Sequence, residues 1–364
     1  MTAVPVEPAP PGDLLALTAH LVDIPSESHA EEAITDLLEA QLAAVPWLAV
    51  DRVGSNLVAR TELGRAHRLV VAGHTDTVPV NGNLPSHREG DVLWGCGAAD
   101  MKSGLAVMLA LACGVADPAV DVTWVFYEAE EVDARFNGLR RLFRERPDLL
   151  EGDVALLGEP TDGVIEAGCQ GTMRLRVLLR GARAHTARPW MGRNAIHRLG
   201  PVLERLARYE GRQPVIDGCQ YREALQAVRV EGGIAGNVVP DESVLLVNHR
   251  FAPDRTPADA EVHLRELLLP VLDDDDELSV VDCVDGAAPG LDHPLLASLI
   301  DRNALTVRAK LGWTDVARFA AHGIPAANFG PGDATLAHTA DERVAREPIE
   351  RTYAALADLL RTGV

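Results

Sequence analysis

Four short apolar segments, each of which leads into histidine or acidic residues, are the feature of this sequence that most limits its possible folds. The segments are residues 69–73, 122–127, 154–157 and 326–329. Helical patterns separate them, and strands that alternate with helices form a mostly parallel sheet flanked by helices. In such sheets, ligands bind beyond the carboxyl ends of the strands. We therefore predict an α/β fold with a polar site where these strands end.

Histidines and carboxylates collect at these strand ends and in one glycine-rich loop. They are His74, Asp76, Asp100, Glu130, Glu131, Glu159 and His338. Imidazole nitrogen and carboxylate oxygen together suit zinc, and cobalt or manganese can substitute for it. If Asp100 bridges two ions, five residues supply six ligand atoms. Two ions held in this way polarise a carbonyl group and lower the pKa of water toward about 7.

The two acidic motifs in this set also have simpler explanations. Gly95 and Gly97 let the backbone before Asp100 approach an ion closely, but Asp is also a preferred N-cap for the helix that is expected from Lys102. Adjacent acids such as Glu130–Glu131 usually lie on a solvated helix face. Here they follow an apolar strand, where one acid can hold metal while the other transfers a proton.

The acidic charge balance excludes some classes of partner. Lys and Arg number 34 and Asp and Glu 54, which gives a net charge of −20. Nucleic acids and anionic membranes bind basic patches, so neither is expected as a partner. The first residues lack the basic and apolar parts of a secretory signal. Five scattered cysteines without a Cys-x-x-Cys pair indicate reduced thiols, and we expect a cytoplasmic protein.

The middle of the chain has a different pattern, which predicts a second domain. Its strands and helices follow the order β-α-β-β-α-β, typical of a small α+β unit. We predict a catalytic domain from residues 1–173 and 287–364, and an inserted domain at residues 174–286. At a finer level, we predict one strand over residues 52–60, a helix over 194–208 with Ile196 and Leu203 on its apolar face, and a solvated acidic loop over 273–277. Residues 1–12 are proline-rich and are expected to form a tail.

The motifs around these residues resemble those of a known enzyme family. In chain order they read GHTDTVP, GCGAADMKSG, YEAEEV, GEPT, RAHTARP, GNVVP, NHRF and GPGDATLAHTADE. Together they cover about residues 14–360 and are similar to the dizinc peptidase and deacylase family M20. The resemblance implies a zinc-exopeptidase type of catalytic domain, two zinc ions, and an inserted domain that acts as a lid and joins two subunits in a homodimer.

The resemblance also implies roles for the residues of the catalytic domain. The zinc ligands would be His74, Asp100 and Glu159 for one ion and Asp100, Glu131 and His338 for the other. Glu130 would be the general base and later the proton donor. Asp76 would orient His74 through its other ring nitrogen. The peptide bond between Asp100 and Met101 would be cis.

Further roles fall in or near the inserted domain. His185 would reach into the partner subunit's site and stabilise the oxyanion. Asn237 and Arg250 would bind the substrate, with Arg250 as a fork for a carboxylate. Arg318 would lie near the substrate's carboxylate end. Without the resemblance, His185 is a histidine beside an exposed turn and Arg318 an arginine on a helix surface.

The implied reaction is hydrolysis of an amide in a small molecule. The resemblance implies removal of a succinyl group from a diamino acid, and an acetyl-removing or broader N-acyl-amino-acid hydrolase is the alternative. Two stretches differ from the better-known succinyl-specific members, namely residues 184–189 and Cys169–Gln170, which replaces a basic pair. Arg188 or Arg174 could supply the missing charge. A non-catalytic relative would have lost Glu130 or a ligand, and this chain keeps all of them.

Overall fold

The chain folds into two compact units. A computed structural model describes residues 12–364. The first unit comprises residues 12–167, 289–308 and 318–364, and the second comprises 168–288 and 309–317. The expected N-terminal tail lies outside the described residues, apart from Gly12.

The helices of the described residues share ordinary lengths of two to five turns. They are α1 Leu14–Val22, α2 Glu32–Ala43, α3 Ser103–Gly114, α4 Gly138–Glu145, α5 Leu199–Ala207, α6 Pro257–Leu268, α7 Pro294–Asn303, α8 Val316–Ala321 and α9 Arg346–Thr362. Short helical turns occur at Ala98–Lys102, Pro147–Leu150, Pro189–Met191 and Leu269–Val271. Within residues 12–364, no helix combines the length and the apolar character that crossing a membrane requires.

The strands fall into a large sheet, a four-stranded sheet and two small ones. They are β1 Ala49–Val53, β2 Asn56–Arg60, β3 Arg68–His74, β4 His87–Glu89, β5 Val92–Trp94, β6 Asp121–Tyr127, β7 Val154–Leu157, β8 Ile165–Ala167, β9 Gly171–Arg180, β10 Val215–Ile216, β11 Cys219–Gln220, β12 Ala224–Gly232, β13 Glu242–Phe251, β14 Glu277–Val284, β15 Val307–Ala309, β16 Ala326–Asn328 and β17 Arg343–Ala345.

The first unit is built on an eight-stranded sheet with the order β1-β2-β6-β3-β7-β16-β8-β15. Its centre is parallel, because β3 pairs with β6 and β7, and β7 pairs with β16, all in the same direction. β2 and β8 pair antiparallel with the two ends of this centre. Every residue of β6 and β7 is buried, as expected for strands covered on both faces. The predicted α/β class is confirmed, and the four predicted strands form its parallel centre.

Residues 52–60 form part of a hairpin, so the prediction of one strand was wrong. β1 and β2 pair antiparallel across a two-residue turn at Gly54 and Ser55. Gly54 has a φ of 68°, in the left-handed region that glycine adopts without strain. Gly54 was a signal for this hairpin turn, but the apolar residues on both sides of it were interpreted as one continuous strand.

The second unit contains a four-stranded antiparallel sheet with the order β12-β13-β9-β14. Apolar side chains of α5 and α6 form one core with alternate residues of β9 and β13, such as Leu175, Val177 and Val247. The main elements follow the order β9, α5, β12, β13, α6 and β14. This is the predicted β-α-β-β-α-β order.

Helix α5 begins five residues later than predicted, at Leu199. The side chain of Asn194 accepts hydrogen bonds from the backbone N–H groups of Ile196 and His197, which stabilises a turn there instead of a helix. The predicted apolar face was also wrong in part. Ile196 and Leu203 are more than a third exposed, and Val202 is buried in their place.

The acidic run at residues 273–277 is only partly a solvated loop. The side chain of Asp276 is completely buried. It accepts a hydrogen bond of 2.6 Å from Arg198 and one of 2.8 Å from the backbone N–H of Arg180. These charge-assisted bonds offset the cost of removing the carboxylate from water. Glu277 already belongs to β14.

His249 makes the second unit sensitive to acid. Its side chain is fully buried on β13, against the rings of Tyr209, Phe251 and His263. Burial is the main cause that lowers the pKa of His249 to about 4. The charge of Glu223 opposes this shift, and the charges of His263, Arg255 and Arg212 add to it. Because an unfolded histidine has a pKa of about 6.5, the unfolded chain binds more protons below that pH. Stability is therefore lost as the pH falls from about 6.5 toward about 4.

We expect His249→Leu to remove most of this pH dependence. The shift corresponds to about 3 kcal/mol, at 1.36 kcal/mol per pKa unit. Urea denaturation of the full chain between pH 7 and pH 4 measures it, with substitution of the exposed His197→Leu as the control. The same loss of stability in wild type and His249→Leu would contradict this account.

Candidate metal centre

Three of the predicted ligands come together in the first unit. His74, Asp100 and Glu131 each offer one ligand atom, and these atoms lie within 4.8 Å of one another. His74 is the last residue of β3, and Glu131 follows β6. Because β3 and β6 are parallel neighbours, both residues lie at the same edge of the sheet. The turn at residues 98–102, which precedes α3, brings Asp100 to that edge.

The carboxylate of Asp100 lies between two histidines. Its Oδ1 is 3.1 Å from Nε2 of His74, and its Oδ2 is 3.5 Å from Nε2 of His338. Nε2 of His338 is also 2.8 Å from Oε1 of Glu131. Each oxygen of one carboxylate therefore faces a different imidazole nitrogen, which is the arrangement that a carboxylate bridging two cations requires.

The electrostatics of this group favour positive charge. Burial opposes the charged form of Asp100, but hydrogen bonds with His338 and His74 outweigh it and lower the pKa of the carboxyl group. Burial also opposes the charge on His74, whose pKa is nevertheless raised well above its usual value by Asp100 and Asp76. Hydrogen bonds with Asp100 and Glu131 raise the pKa of His338 to about 10. The carboxylates thus recruit protons here, and metal ions would have to displace them.

Glu159 and Glu130 lie near the same edge of the sheet. Glu159 follows β7, is buried, and contributes through its charge to the raised pKa of His74. Glu159 therefore lies close enough to His74 for its charge to act on the imidazole. Glu130 precedes Glu131 and is partly buried.

Asp76 holds both His74 and the backbone that carries the two glutamates. Its carboxylate accepts hydrogen bonds from the N–H groups of Glu130 at 3.0 Å and Glu131 at 3.1 Å, and from the hydroxyl of Ser28 at 2.6 Å. Nδ1 of His74 donates to the carbonyl oxygen of Asp76 at 3.0 Å, and lies 3.5 Å from its carboxylate. With Nδ1 protonated, Nε2 of His74 is available as a ligand.

The loops of this site approach each other closely because of two glycines. Gly97 has a φ of 81°, and it begins the turn that leads to Asp100. Gly332 lies against the same turn, where an added Cβ would be 2.2 Å from the carbonyl oxygen of Ala99. Only glycine permits this contact between the loop that carries His338 and the loop that carries Asp100. The peptide bond between Asp100 and Met101 is cis, as expected.

Two buried glutamates near the site escaped the sequence analysis. Glu31 accepts hydrogen bonds from the N–H groups of His29 and Ala129, and Ala129 has a φ of 57° just before Glu130. Glu342 accepts hydrogen bonds from the backbone of the Asp100 turn. Glu342 belongs to the same motif as His338, four residues later, and this position could have marked it as part of the site. No sequence pattern distinguished Glu31.

His185, Arg188 and Asn237 lie in two adjacent loops of the second unit. His185 pairs with Val238 in an isolated bridge, and the carbonyl oxygen of Asn237 accepts a hydrogen bond from the next residue, Thr186. Nδ1 of His185 accepts a hydrogen bond from the N–H of Ala187 at 3.0 Å. All three predicted site residues are exposed.

Arg250 lies near the end of β13, in register with Thr172 of β9. It is partly buried, and both burial and the nearby charge of Arg174 lower the pKa of its guanidinium. Arg174 is itself 3.5 Å from Asp282. Arg318 belongs to α8 in the first unit, where its carbonyl oxygen bonds to the ring of His322.

Comparison with known proteins identifies the family. The family model described as peptidase family M20/M25/M40 matches residues 70–362. The chain belongs to this family. The resemblance seen in the motifs is confirmed, and so is the expectation of an enzyme that hydrolyses amide bonds.

Two M20 relatives are similar over almost their whole length. A Corynebacterium glutamicum protein named succinyl-diaminopimelate desuccinylase is 46% identical over 96% of this chain and 96% of its own length. A Mycobacterium tuberculosis H37Rv protein with the provisional name succinyl-diaminopimelate desuccinylase DapE is 55% identical over 96% of this chain and 97% of its own length.

Solved structures share the fold at low sequence identity. A tripeptidase from Staphylococcus aureus superposes with a TM-score of 0.79 at 20% identity, over 97% of this chain and 98% of its own. A Bacillus subtilis protein described as a dinuclear metal-binding peptidase of family M20 has a TM-score of 0.70 at 16% identity, over 95% of this chain and 96% of its own.

Proposed function

We propose that this M20 enzyme is a succinyl-diaminopimelate desuccinylase. It would hydrolyse the amide of N-succinyl-LL-2,6-diaminopimelate with one water molecule, giving succinate and LL-2,6-diaminopimelate. The observation that carries the hydrolytic chemistry is the position of Asp100, with one oxygen toward each of two histidines. Two relatives of nearly equal length that bear this name, at 55% and 46% identity, favour the succinyl substrate.

The donor atoms fit a pair of zinc ions. Imidazole nitrogens and carboxylate oxygens are common zinc ligands, and one carboxylate can bridge two ions. The proposed ligands are His74, Asp100 and Glu159 for one ion and Asp100, Glu131 and His338 for the other. Such a pair polarises the substrate carbonyl and lowers the pKa of water. Cobalt and manganese accept the same donors.

Glu130 is the proposed general base. It accepts a proton from the attacking water and delivers it to the nitrogen of the leaving amine. Asp76 supports this role, because it bonds to the backbone N–H of Glu130 and fixes where that side chain begins. The neighbouring Glu131 holds metal instead, so the two adjacent acids have separate roles.

The residues proposed for the substrate are Asn237, Arg250, Arg188 and Arg318. Arg250 offers the clearest physical argument. It is partly buried and close to a second guanidinium, that of Arg174, and this repulsion is relieved when an anion binds. The succinyl group carries a carboxylate that an acetyl group lacks, so a free guanidinium here favours the succinyl substrate.

An acetylornithine deacetylase or a broader N-acyl-amino-acid hydrolase is the alternative. Cys169 and Gln170, which replace a basic pair, are both buried. The amide oxygen of Gln170 accepts a hydrogen bond from the N–H of Arg222, so this side chain serves the structure of the second unit. The charge for a succinyl carboxylate must then come from other arginines.

We further propose a cytoplasmic homodimer joined through the second unit. β12 is an edge strand of the four-stranded sheet, and Val228 and Val230 on it are more than half exposed. An exposed apolar edge is a surface that natural proteins usually cover. In the dimer, His185 of one subunit would stabilise the oxyanion in the partner's site. The five free cysteines are consistent with a reducing compartment.

Replacement of Glu130→Ala should lower kcat by about 10²–10⁴-fold, as for loss of a general acid–base group. The protein should still bind two zinc ions, because Glu130 is not a proposed ligand. Metal analysis of the dialysed protein, beside steady-state kinetics, tests both statements. Loss of metal together with activity would contradict the separate roles of Glu130 and Glu131.

Mixed dimers test the position of His185. We expect Glu130→Ala and His185→Ala dimers each to be impaired. Subunit exchange between them should restore part of the activity, because one of the two sites in a mixed dimer then has both residues. Exchange that is verified by mass spectrometry but restores no activity would contradict a role for His185 in the partner's site.

The substrate is tested by comparing kcat/KM of the zinc-loaded enzyme for N-succinyl-LL-diaminopimelate and N-acetylornithine. We expect a strong preference for the succinyl compound. Arg250→Leu should lower kcat/KM for the succinyl compound by about 10–100-fold, as for loss of a hydrogen bond to a charged group. Arg229→Leu, an exposed arginine on the neighbouring strand β12, is the control. Activity on the acetyl compound alone would contradict the proposed substrate.

A further inference from the structure

Glu342 is a buried carboxylate that binds three backbone amides in one turn. Glu342 immediately precedes β17 in the chain and is 2% exposed. Oε2 accepts a hydrogen bond from the N–H of Gly97, and Oε1 accepts one from Ala99 and one from Asp100, each at 3.0 Å. Both oxygens of the Glu342 carboxylate are therefore occupied by backbone donors.

The position of Glu342 is itself fixed by the backbone around it. Its carbonyl oxygen accepts a hydrogen bond of 3.0 Å from the N–H of Gly95. The next residue, Arg343, pairs with Trp94 where β17 lies antiparallel to β5. Glu342 thus connects the end of β5, the turn at residues 97–100 and the strand that follows the His338 loop.

This turn needs an external support. Gly97 has a left-handed φ, and Asp100 and Met101 depart from helical dihedral angles inside the turn. The N–H groups of Ala99 and Asp100 would therefore lack the regular partners of a helix, and Glu342 accepts both of them. Hydrogen bonds from N–H groups to a carboxylate are stronger than those between neutral groups.

We propose that Glu342 is a positioning residue for the metal centre, which holds the backbone of Asp100 so that each oxygen of its carboxylate faces one histidine. The inference rests on the proposed metal centre and adds to it a residue that touches neither metal nor substrate. Partners that orient metal ligands in this way typically change metal affinity by about 10–100-fold when they are removed.

The test measures metal affinity and does not depend on the substrate. Metal-free wild type, Glu342→Ala, Glu342→Gln and the control Glu347→Gln are titrated with Co²⁺, with visible absorption and calorimetry as readouts. Glu347 is an exposed glutamate in the first turn of α9. Thermal unfolding of each metal-free protein, recorded in parallel, separates a loss of stability from a loss of metal affinity.

We expect Glu342→Ala to bind Co²⁺ about 10–100-fold more weakly, with an altered absorption spectrum. Glu342→Gln should give an intermediate result. Its amide oxygen can still accept from Ala99 and Asp100, but its NH₂ group cannot accept from Gly97. Glu347→Gln should match wild type. If Glu342→Ala does not fold, the intermediate affinity and changed spectrum of Glu342→Gln carry the test.

Two results would overturn the proposal, and they differ. Wild-type affinity and spectrum in the folded Glu342 variants, even with a lowered melting temperature, would show a structural role only, and the metal centre would stand. Failure of wild type to bind Co²⁺ would contradict the proposed metal centre and, with it, a positioning role for Glu342.

Discussion

The attraction between the carboxylate of Asp100 and the two imidazole rings that face it is the interaction on which this site depends. Asp100, Glu131 and Glu159 bring three negative charges to one edge of a buried sheet, where ionised carboxylates cost free energy unless cations accompany them. In the protein alone, the raised pKa values of His74 and His338 supply that positive charge. The same imbalance of charge would favour the binding of divalent ions at the proposed metal centre once the histidines lose their protons.

Precise placement of these charges comes mainly from the backbone. Asp76, Glu31 and Glu342 are buried acids that bind N–H groups of the loops carrying Glu130, Glu131 and Asp100. Each loop leaves regular structure where its amides would otherwise lack partners. One set of carboxylates thus consists of the proposed metal ligands, and a second set binds the backbone of the loops that carry them.

Much of this arrangement could be predicted from the sequence, because it follows from local patterns. Apolar runs of four to six residues, each followed by ligand-type residues, predict parallel strands, and β3, β6 and β7 confirm these strands. The site at their carboxyl ends remains a prediction. The motifs identified the family. The sequence did not reveal that Glu31 and Glu342 bind backbone amides, since any residue can donate such a bond. The buried pair of Asp276 and Arg198 was missed for a related reason, because its partners are distant in the chain.

The central claim, that Asp100 bridges two ions, is tested most directly by a crystal structure of the zinc-loaded enzyme with anomalous scattering measured at the zinc edge. We expect two peaks per subunit, one beside His74 and Glu159 and the other beside Glu131 and His338. One oxygen of Asp100 should contact each peak, at about 2.0–2.2 Å. A single peak under saturating zinc, or two peaks with Asp100 bound to only one of them, would contradict this account.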